Sequence, residues 1–251
     1  AVFYALQKQI DKGYMIEVEF DNSYWITQGF AKVKPGRLQP GTSIPVVRIL
    51  GDFRPLNSAL DPIPAHWFHA QANQRVVCES IPMGSTCFRY YDLSDAYHTM
   101  ELDEDAQKLV VLQFNDRYFM YTGGAQGIAP CAVFFNTHLQ DGLYQIFGPH
   151  WESWYALMVD DIGVHAKSKE SCKIRSDALE CALEVLGKPF SEKIDAEDYD
   201  DHMILGGLYI DKDGVRLEDD AIDVLKHTLF DYPVKTLRDA QHVVGVINYC
   251  H

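Results

Sequence analysis

The sequence predicts an α+β fold. Stretches with apolar residues at helical intervals, at 131–147 and 168–187, alternate with short extended runs. Tight-turn signals at Asn115-Asp116 and in the DKDG of 211–214 join those runs to antiparallel neighbours. The segment WYALMVDDIGVHA, Trp154 to Ala166, places two adjacent carboxylates, Asp160 and Asp161, between two apolar runs, a β-hairpin with its charges at the tip. Helices between antiparallel hairpins imply a sheet packed by helices on one face.

Residues 1–13 have helical spacing and end at Gly13, a left-handed stop. Extended segments follow at 14–18 and 29–34, and Pro35-Gly36 and Pro40-Gly41 mark a turn-rich loop. Residues 46–53 (VVRILGDF) read as a strand, whereas 58–86 mix Pro, His and Ser and give no periodic signal. CFRYYDL (87–93) is strand-like and SDAYHTM turns into a short helix. KLVVLQF and RYFMYTG, around 108–123, form a hairpin across Asn115-Asp116. The helix at 168–187 has a Ser cap, apolar residues at Ile174, Ala178, Leu179, Ala182, Leu183 and Leu186, and a terminal Gly187. MILGGLYI and VRL flank the DKDG turn, and helical stretches at 219–229 and 236–249 complete the chain.

The 251 residues can bury a sizeable core as one large domain or as two or three subdomains. No apolar run approaches the roughly 20 residues that cross a bilayer, and the N-terminus has no signal-peptide pattern, so the expectation is an intracellular protein, not a secreted one. An opening at Ala1 and an end at Cys250-His251 inside a helical pattern read as an excerpt from a longer polypeptide. Six cysteines without paired spacing read as reduced core residues. The net charge of −14 is unlike the basic footprint of most nucleic-acid binders. It is uneven, however: the first sixty residues carry a small excess of Lys and Arg, including Arg37, and the acid gathers after residue 190.

The chemistry resides in carboxylates. Burying or crowding two of them costs several kcal/mol unless a cation compensates. Asp160 and Asp161 between apolar strands therefore form a candidate metal clamp, although an isolated Asp-Asp is ordinarily a solvated turn. Asp92 supplies a third carboxylate, directly after an aromatic strand-like run. Three such aspartates suffice to hold two divalent cations and perform phosphoryl transfer. His98 and His165 flank them in sequence and read as packed or solvated, because this chemistry prefers hard oxygen donors.

DLSDAYHTMEL with Phe88 four residues ahead of Asp92, Gln126-Gly127 before a helix, and MVDDI resemble motifs A, B and C of reverse transcriptases. VVRILGDFRPLN (46–57) resembles their fingers segment, ALQKQIDKGYMIEV their entry helix, and SEKI with the stretch from MILGG to Cys250 the palm end and thumb entry of LTR retrotransposon enzymes, the gypsy-type group most closely. The resemblance covers essentially the whole chain, six motifs in order. It implies a right-hand polymerase fold with fingers, palm and partial thumb. Residues 1–86 would be fingers with entry helix and part of the palm, 87–210 the palm with a fingers insertion near 100–125, and 211–251 the end of the palm hairpin and the start of the thumb or connection.

The resemblance also implies roles. Asp92, Asp160 and Asp161 would ligate two Mg²⁺ or Mn²⁺ ions, with the Leu93 carbonyl as an extra oxygen. Arg48 would contact the triphosphate, assisted by Lys32 or Lys34. The backbone at Asp95 and Ala96 would donate to phosphate, Gln126 would touch the nucleotide near its sugar, and Tyr97 would exclude a 2′-hydroxyl by bulk. Asp52, Phe53 and Arg54 would lie near the template, and Lys193 would protonate pyrophosphate. Met158 stands where the family has Tyr or Phe, so a flexible side chain without a hydroxyl meets the primer end. Cys131-Ala132 stands where the family has Ser-Pro. The implied partners are an RNA or DNA template-primer, deoxynucleoside triphosphates and the remainder of a Pol polyprotein (thumb, RNase H, integrase), in a cytoplasmic virus-like particle or the nucleus, with no membrane. Two other readings compete: a degenerate, non-catalytic nucleic-acid-binding or assembly module, and an RNA-templated RNA polymerase, which Tyr97 opposes.

Overall fold

In the computed structural model, the described residues are 1–64, 77, 79–190 and 199–249. They divide into two compact units, 1–70 with 95–138 and 71–94 with 139–251. All but one of the strand pairings are antiparallel, and the mixed α and β content gives the expected α+β class. Among the described residues the single sheet expected from the hairpin pattern is replaced by three.

The first unit starts with α1 (Val2–Asp11), which stops at Gly13 with φ +76°. Its five-stranded sheet has the order β1-β6-β5-β2-β3, built from β1 (Met15–Val18), β2 (Ile26–Leu38), β3 (Pro45–Gly51), β5 (Val111–Phe114) and β6 (Arg117–Tyr121). β5 and β6 form the hairpin across Asn115-Asp116, with Asn115 at φ +54°. Short helices α2 (Arg54–Ala59) and α3 (Glu104–Lys108) join it, the latter capped by the Asp103 carboxylate on the Ala106 N–H. Leu6, Met15, Phe53, Leu112, Phe119 and Tyr121 are central to its core. β2 is longer than expected. Pro35 and Gly36, read as loop, lie within it, in an exposed arm that pairs with β3 across a register shift between Val33 and Leu38. A bulge tolerates both residues.

In the second unit β4 (Cys87–Asp92), β8 (Asp161–Ala166) and β7 (Tyr155–Met158) form one three-stranded sheet in that order. β9 (His202–Leu205), β10 (Leu208–Asp211) and β11 (Gly214–Leu217) form another. MILGGLYI is thus two strands around Gly206-Gly207, both at positive φ. Phe88, Ala156, Met203, Leu205, Leu208 and Ile210 share a core. α4 (Ala129–Phe147) carries the 131–147 pattern, its residues up to 138 belonging to the first unit. α5 (Lys169–Val185) is capped by Ser168 on the Ser171 N–H and buries Cys172, Ser176, Leu179, Ala182 and Leu183. α6 (Asp219–Lys226), a π-helical turn (His227–Asp231) and α7 (Leu237–Tyr249) end the chain. The four described cysteines, 87, 131, 172 and 181, are free; all but Cys181 are buried. Among the described residues no helix is long and apolar enough to cross a membrane.

Candidate active site

β8 is the central strand of its sheet, and its apolar residues from Ile162 to Ala166 are all buried. A strand enclosed on both faces reads as a continuous apolar run, and its first residue, Asp161, is the exception. The ladder sets Asp161 opposite Asp92 on β4 and Met158 on β7. One rung further out, the Leu93 N–H donates to the Asp160 carbonyl at 2.9 Å. Bonded and non-bonded pairs alternate in an antiparallel ladder, so Asp92 and Asp161 form a non-bonded pair with Cα atoms about 4.5 Å apart and side chains on one face. The structure therefore brings Asp92, Leu93, Asp160 and Asp161 onto adjoining backbone. Asp161 lies inside the ladder, not at the tip as expected; the two-residue tip is Val159-Asp160. Val159 has φ +59°, a left-handed conformation that a β-branched residue rarely adopts.

Tyr90 shares the face of Asp92, two residues away, and its hydroxyl donates to Asp161 Oδ1. Burial raises the Asp161 carboxyl to a pKa of about 6. The Tyr90 hydrogen bond opposes that rise, and the Asp160 and Asp92 carboxylates add to it. Among the described residues no basic side chain is among the influences on Asp161. The Tyr90 phenol is itself pushed up, first by burial and then by Asp161.

A half-buried carboxyl crowded by two others, with a neighbouring main-chain carbonyl, is a hard-oxygen donor set that fits Mg²⁺ or Mn²⁺. The three carboxylates share a backbone neighbourhood without closing a tight cage. Among the described residues, only Asp200, Asp201 and His202 bring three ligand atoms within 4.8 Å of one another. There the His202 Nδ1 lies 3.1 and 3.0 Å from the two carboxylates, its pKa is raised chiefly by Asp201, and its ring stacks on Tyr209 at 4.9 Å, an exposed ion-pair arrangement. Like charges repel, so the spread of the three aspartates has the same cause as part of the Asp161 shift.

The remaining expected site residues belong to the first unit, except Met158 and Lys193. Lys32 and Arg48 are directly opposite in the β2–β3 ladder, both exposed, and among the described residues neither has an ion-pair partner. Two cations across a ladder repel, which an anion would relieve. Lys34 is half-buried, further along the same arm. Asp52 and Arg54 hold each other through two bonds, 2.7 and 2.6 Å, and Phe53 is buried, offering packing and no open ring face. Asp95 has φ +53° and pairs with Lys12 at the end of α1. Ala96 and Tyr97 begin a 3-10 turn, and the Tyr97 ring meets Phe135 edge-on at 5.8 Å. Gln126 is exposed beside Gly127, whose carbonyl accepts from Asn57 at 2.8 Å. Met158 lies against Gly206, where an added Cβ would fall 2.9 Å from its Cγ. Lys193 falls outside the described residues.

Two contacts went unread in the sequence. That of Tyr90 was discoverable, because strand period two puts it on the Asp92 face. The hydrogen bond that His98 makes to Gly124 carries no local signal. Both His98 and His165 are packed, as read: His165 is fully buried, with its pKa lowered to about 4 by burial.

No protein-family model and no curated protein sequence matches the chain. Solved structures do. The foamy viral protease-reverse transcriptase dRH in complex with double-stranded DNA matches with a TM-score of 0.69 at 18% identity, over 98% of this chain and 40% of that one. The foamy viral protease-reverse transcriptase with an RNA/DNA hybrid gives 0.68 at 15% identity, over 99% and 30%. Its complex with double-stranded DNA gives 0.66 at 20% identity, over 98% and 47%. The likeness shows the fold, a partial polymerase fold of the reverse-transcriptase kind. The chain spans less than half the length of each of these proteins.

Proposed function

We propose that the chain is the polymerase portion of a reverse transcriptase, adding deoxynucleotides to a primer 3′ end on an RNA or DNA template. The observation that carries this reading is the Asp92–Asp161 rung with Asp160 beside it, in a chain with this fold. Asp92, Asp160, Asp161 and the Leu93 carbonyl hold two Mg²⁺ or Mn²⁺ ions. Ions held there would supply the charge that sharpens the primer hydroxyl as a nucleophile and neutralises the leaving pyrophosphate. Tyr90 orients Asp161 by its hydrogen bond. Arg48, with Lys32 or Lys34, receives the triphosphate, and the exposed, unneutralised Lys32–Arg48 pair supports that role. The Asp95 and Ala96 backbone donates to phosphate, Tyr97 and Gln126 meet the sugar, and Met158 meets the primer end. Asp52, Phe53 and Arg54 support the template, and Lys193 protonates pyrophosphate. Residues 1–86 supply the fingers with the entry helix and part of the palm, 87–210 the palm with a fingers insertion near 100–125, and 211–251 the end of the palm hairpin and the start of the thumb or connection. The source is a gypsy-type LTR retrotransposon polyprotein whose remainder supplies thumb, RNase H and integrase, acting inside the cell.

A primer-extension assay with Mg²⁺ or Mn²⁺ tests the reading. Extension that Asp160→Asn abolishes is the expected result. A soluble, folded chain that extends nothing with either ion overturns it in favour of a non-catalytic nucleic-acid-binding module. Equal use of ribonucleotides and deoxynucleotides would make it an RNA polymerase.

A further inference from the structure

We infer that His98 is a positioning residue for nucleotide selection, locking the 3-10 turn that carries Tyr97 to the loop that carries Gln126; the inference rests on the polymerase reading above. The imidazole has three partners. Tyr14 stacks on it at 5.0 Å and 21°, and Tyr121 at 5.5 Å and 11°. In the ring plane, Nδ1 lies 2.8 Å from the Gly124 carbonyl. A carbonyl only accepts, so Nδ1 carries the proton. Burial depresses the His98 pKa, which keeps the ring neutral and in that single tautomer.

The bond completes a lace between two segments. The Gly124 N–H donates to the Met100 carbonyl at 2.9 Å, and the Leu102 N–H to the Thr122 carbonyl at 3.1 Å. His98 satisfies the carbonyl of the same Gly124 residue, so both backbone polar groups of Gly124 are tied to the 96–102 segment. The approach is close enough to need glycine. A Cβ on Gly124 would fall 2.7 Å from the Tyr97 carbonyl oxygen, and one on Gly123 would fall closer still to the His98 carbonyl oxygen. The stack extends the lace to the N-terminal segment, because Thr122 donates to the Tyr14 and Gly13 carbonyls at 3.1 and 2.6 Å. Tyr97 precedes His98 directly and Gln126 follows Gly124 by two residues. Their spacing is therefore set by a bond that a phenylalanine at position 98 cannot make, although its ring would keep the stack.

Steady-state extension with the full chain tests this, using His98→Phe, His98→Asn and His98→Gln, with deoxynucleotides and ribonucleotides compared. Asn carries its amide nitrogen near the Nδ1 position and Gln near Nε2. His98→Phe leaves the Gly124 carbonyl without its donor, and is expected to raise the deoxynucleotide KM about tenfold and to narrow the discrimination against ribonucleotides. His98→Asn is expected to keep the parent's discrimination while His98→Gln loses it, a split that loss of packing alone would not produce. Equal discrimination in the parent and His98→Phe overturns the inference. If His98→Phe does not fold, equal discrimination in the Asn and Gln variants does the same. A parent that neither extends a primer nor binds deoxynucleotides sinks the polymerase reading itself, whereas an active parent with indifferent His98 variants sinks this inference alone.

Discussion

Asp161 decides how the candidate site responds to pH. Its folded pKa, about 6, stands above its ordinary value of 3.8, so the folded state holds the proton more tightly. The stability that this contributes is fully present below pH 3.8 and is lost as pH rises through about 6. Without divalent ions, Asp161→Asn is therefore expected to melt above the parent at pH 8 and to converge with it only as pH falls below 3.8. The variant amide can still accept from Tyr90. A melting difference that stayed constant over that range would place the electrostatic strain on another group. Tyr90 acts in the opposite sense, since its hydroxyl lowers the Asp161 pKa. Tyr90→Phe removes that donor, and the half-saturating Mn²⁺ concentration for primer extension is expected to rise about tenfold, the scale of losing a partner that orients a ligand. An unchanged Mn²⁺ titration would remove Tyr90 from the site.

At the scale of elements, the β7–β8 hairpin was legible because a plain surface loop would carry Gly, Pro or Ser where apolar runs flank the carboxylate pair. Its register was not, because a two-residue tip of Val159-Asp160 requires a valine at positive φ, which no propensity would choose. That strain is worth about 1–3 kcal/mol, while glycine at the same place costs the unfolded chain's extra freedom, about 0.4–1 kcal/mol. Val159→Gly is thus expected to stabilise the fold by about 1 kcal/mol, read as a higher denaturant midpoint at unchanged slope. A lower midpoint would mean that the valine side chain contributes more by packing than its backbone costs. α5 shows a different limit of legibility. The apolar pattern put Ile174 on its inner face, yet Ile174 is 64% exposed while Cys172 and Ser176 are buried. Small polar residues fill a tight interface without marking it in sequence. The long β2 was cut short for the converse reason: Pro35-Gly36 marks a turn in most contexts but here sits in a bulge.

Across the whole molecule, the order of the segments identified the fold, whereas the division into two units did not emerge from composition, since each unit is assembled from two separate stretches of chain. Charge has the same character. A net −14 argues against nucleic acid when summed, but the first sixty residues hold the exposed Lys32 and Arg48 on opposing strands. Binding by such a surface is driven by release of counterions from phosphates, with a slope near 0.9 per contact. Two or three contacts predict that raising salt from about 50 to 200 mM weakens binding of a primer-template duplex by about ten- to forty-fold. Fluorescence anisotropy with a labelled duplex measures this directly. Affinity that held constant over that range would mean that the chain does not grip the phosphates of a duplex. A steep loss is the expected result for an acidic chain whose exposed cations Lys32 and Arg48 lie on opposing strands.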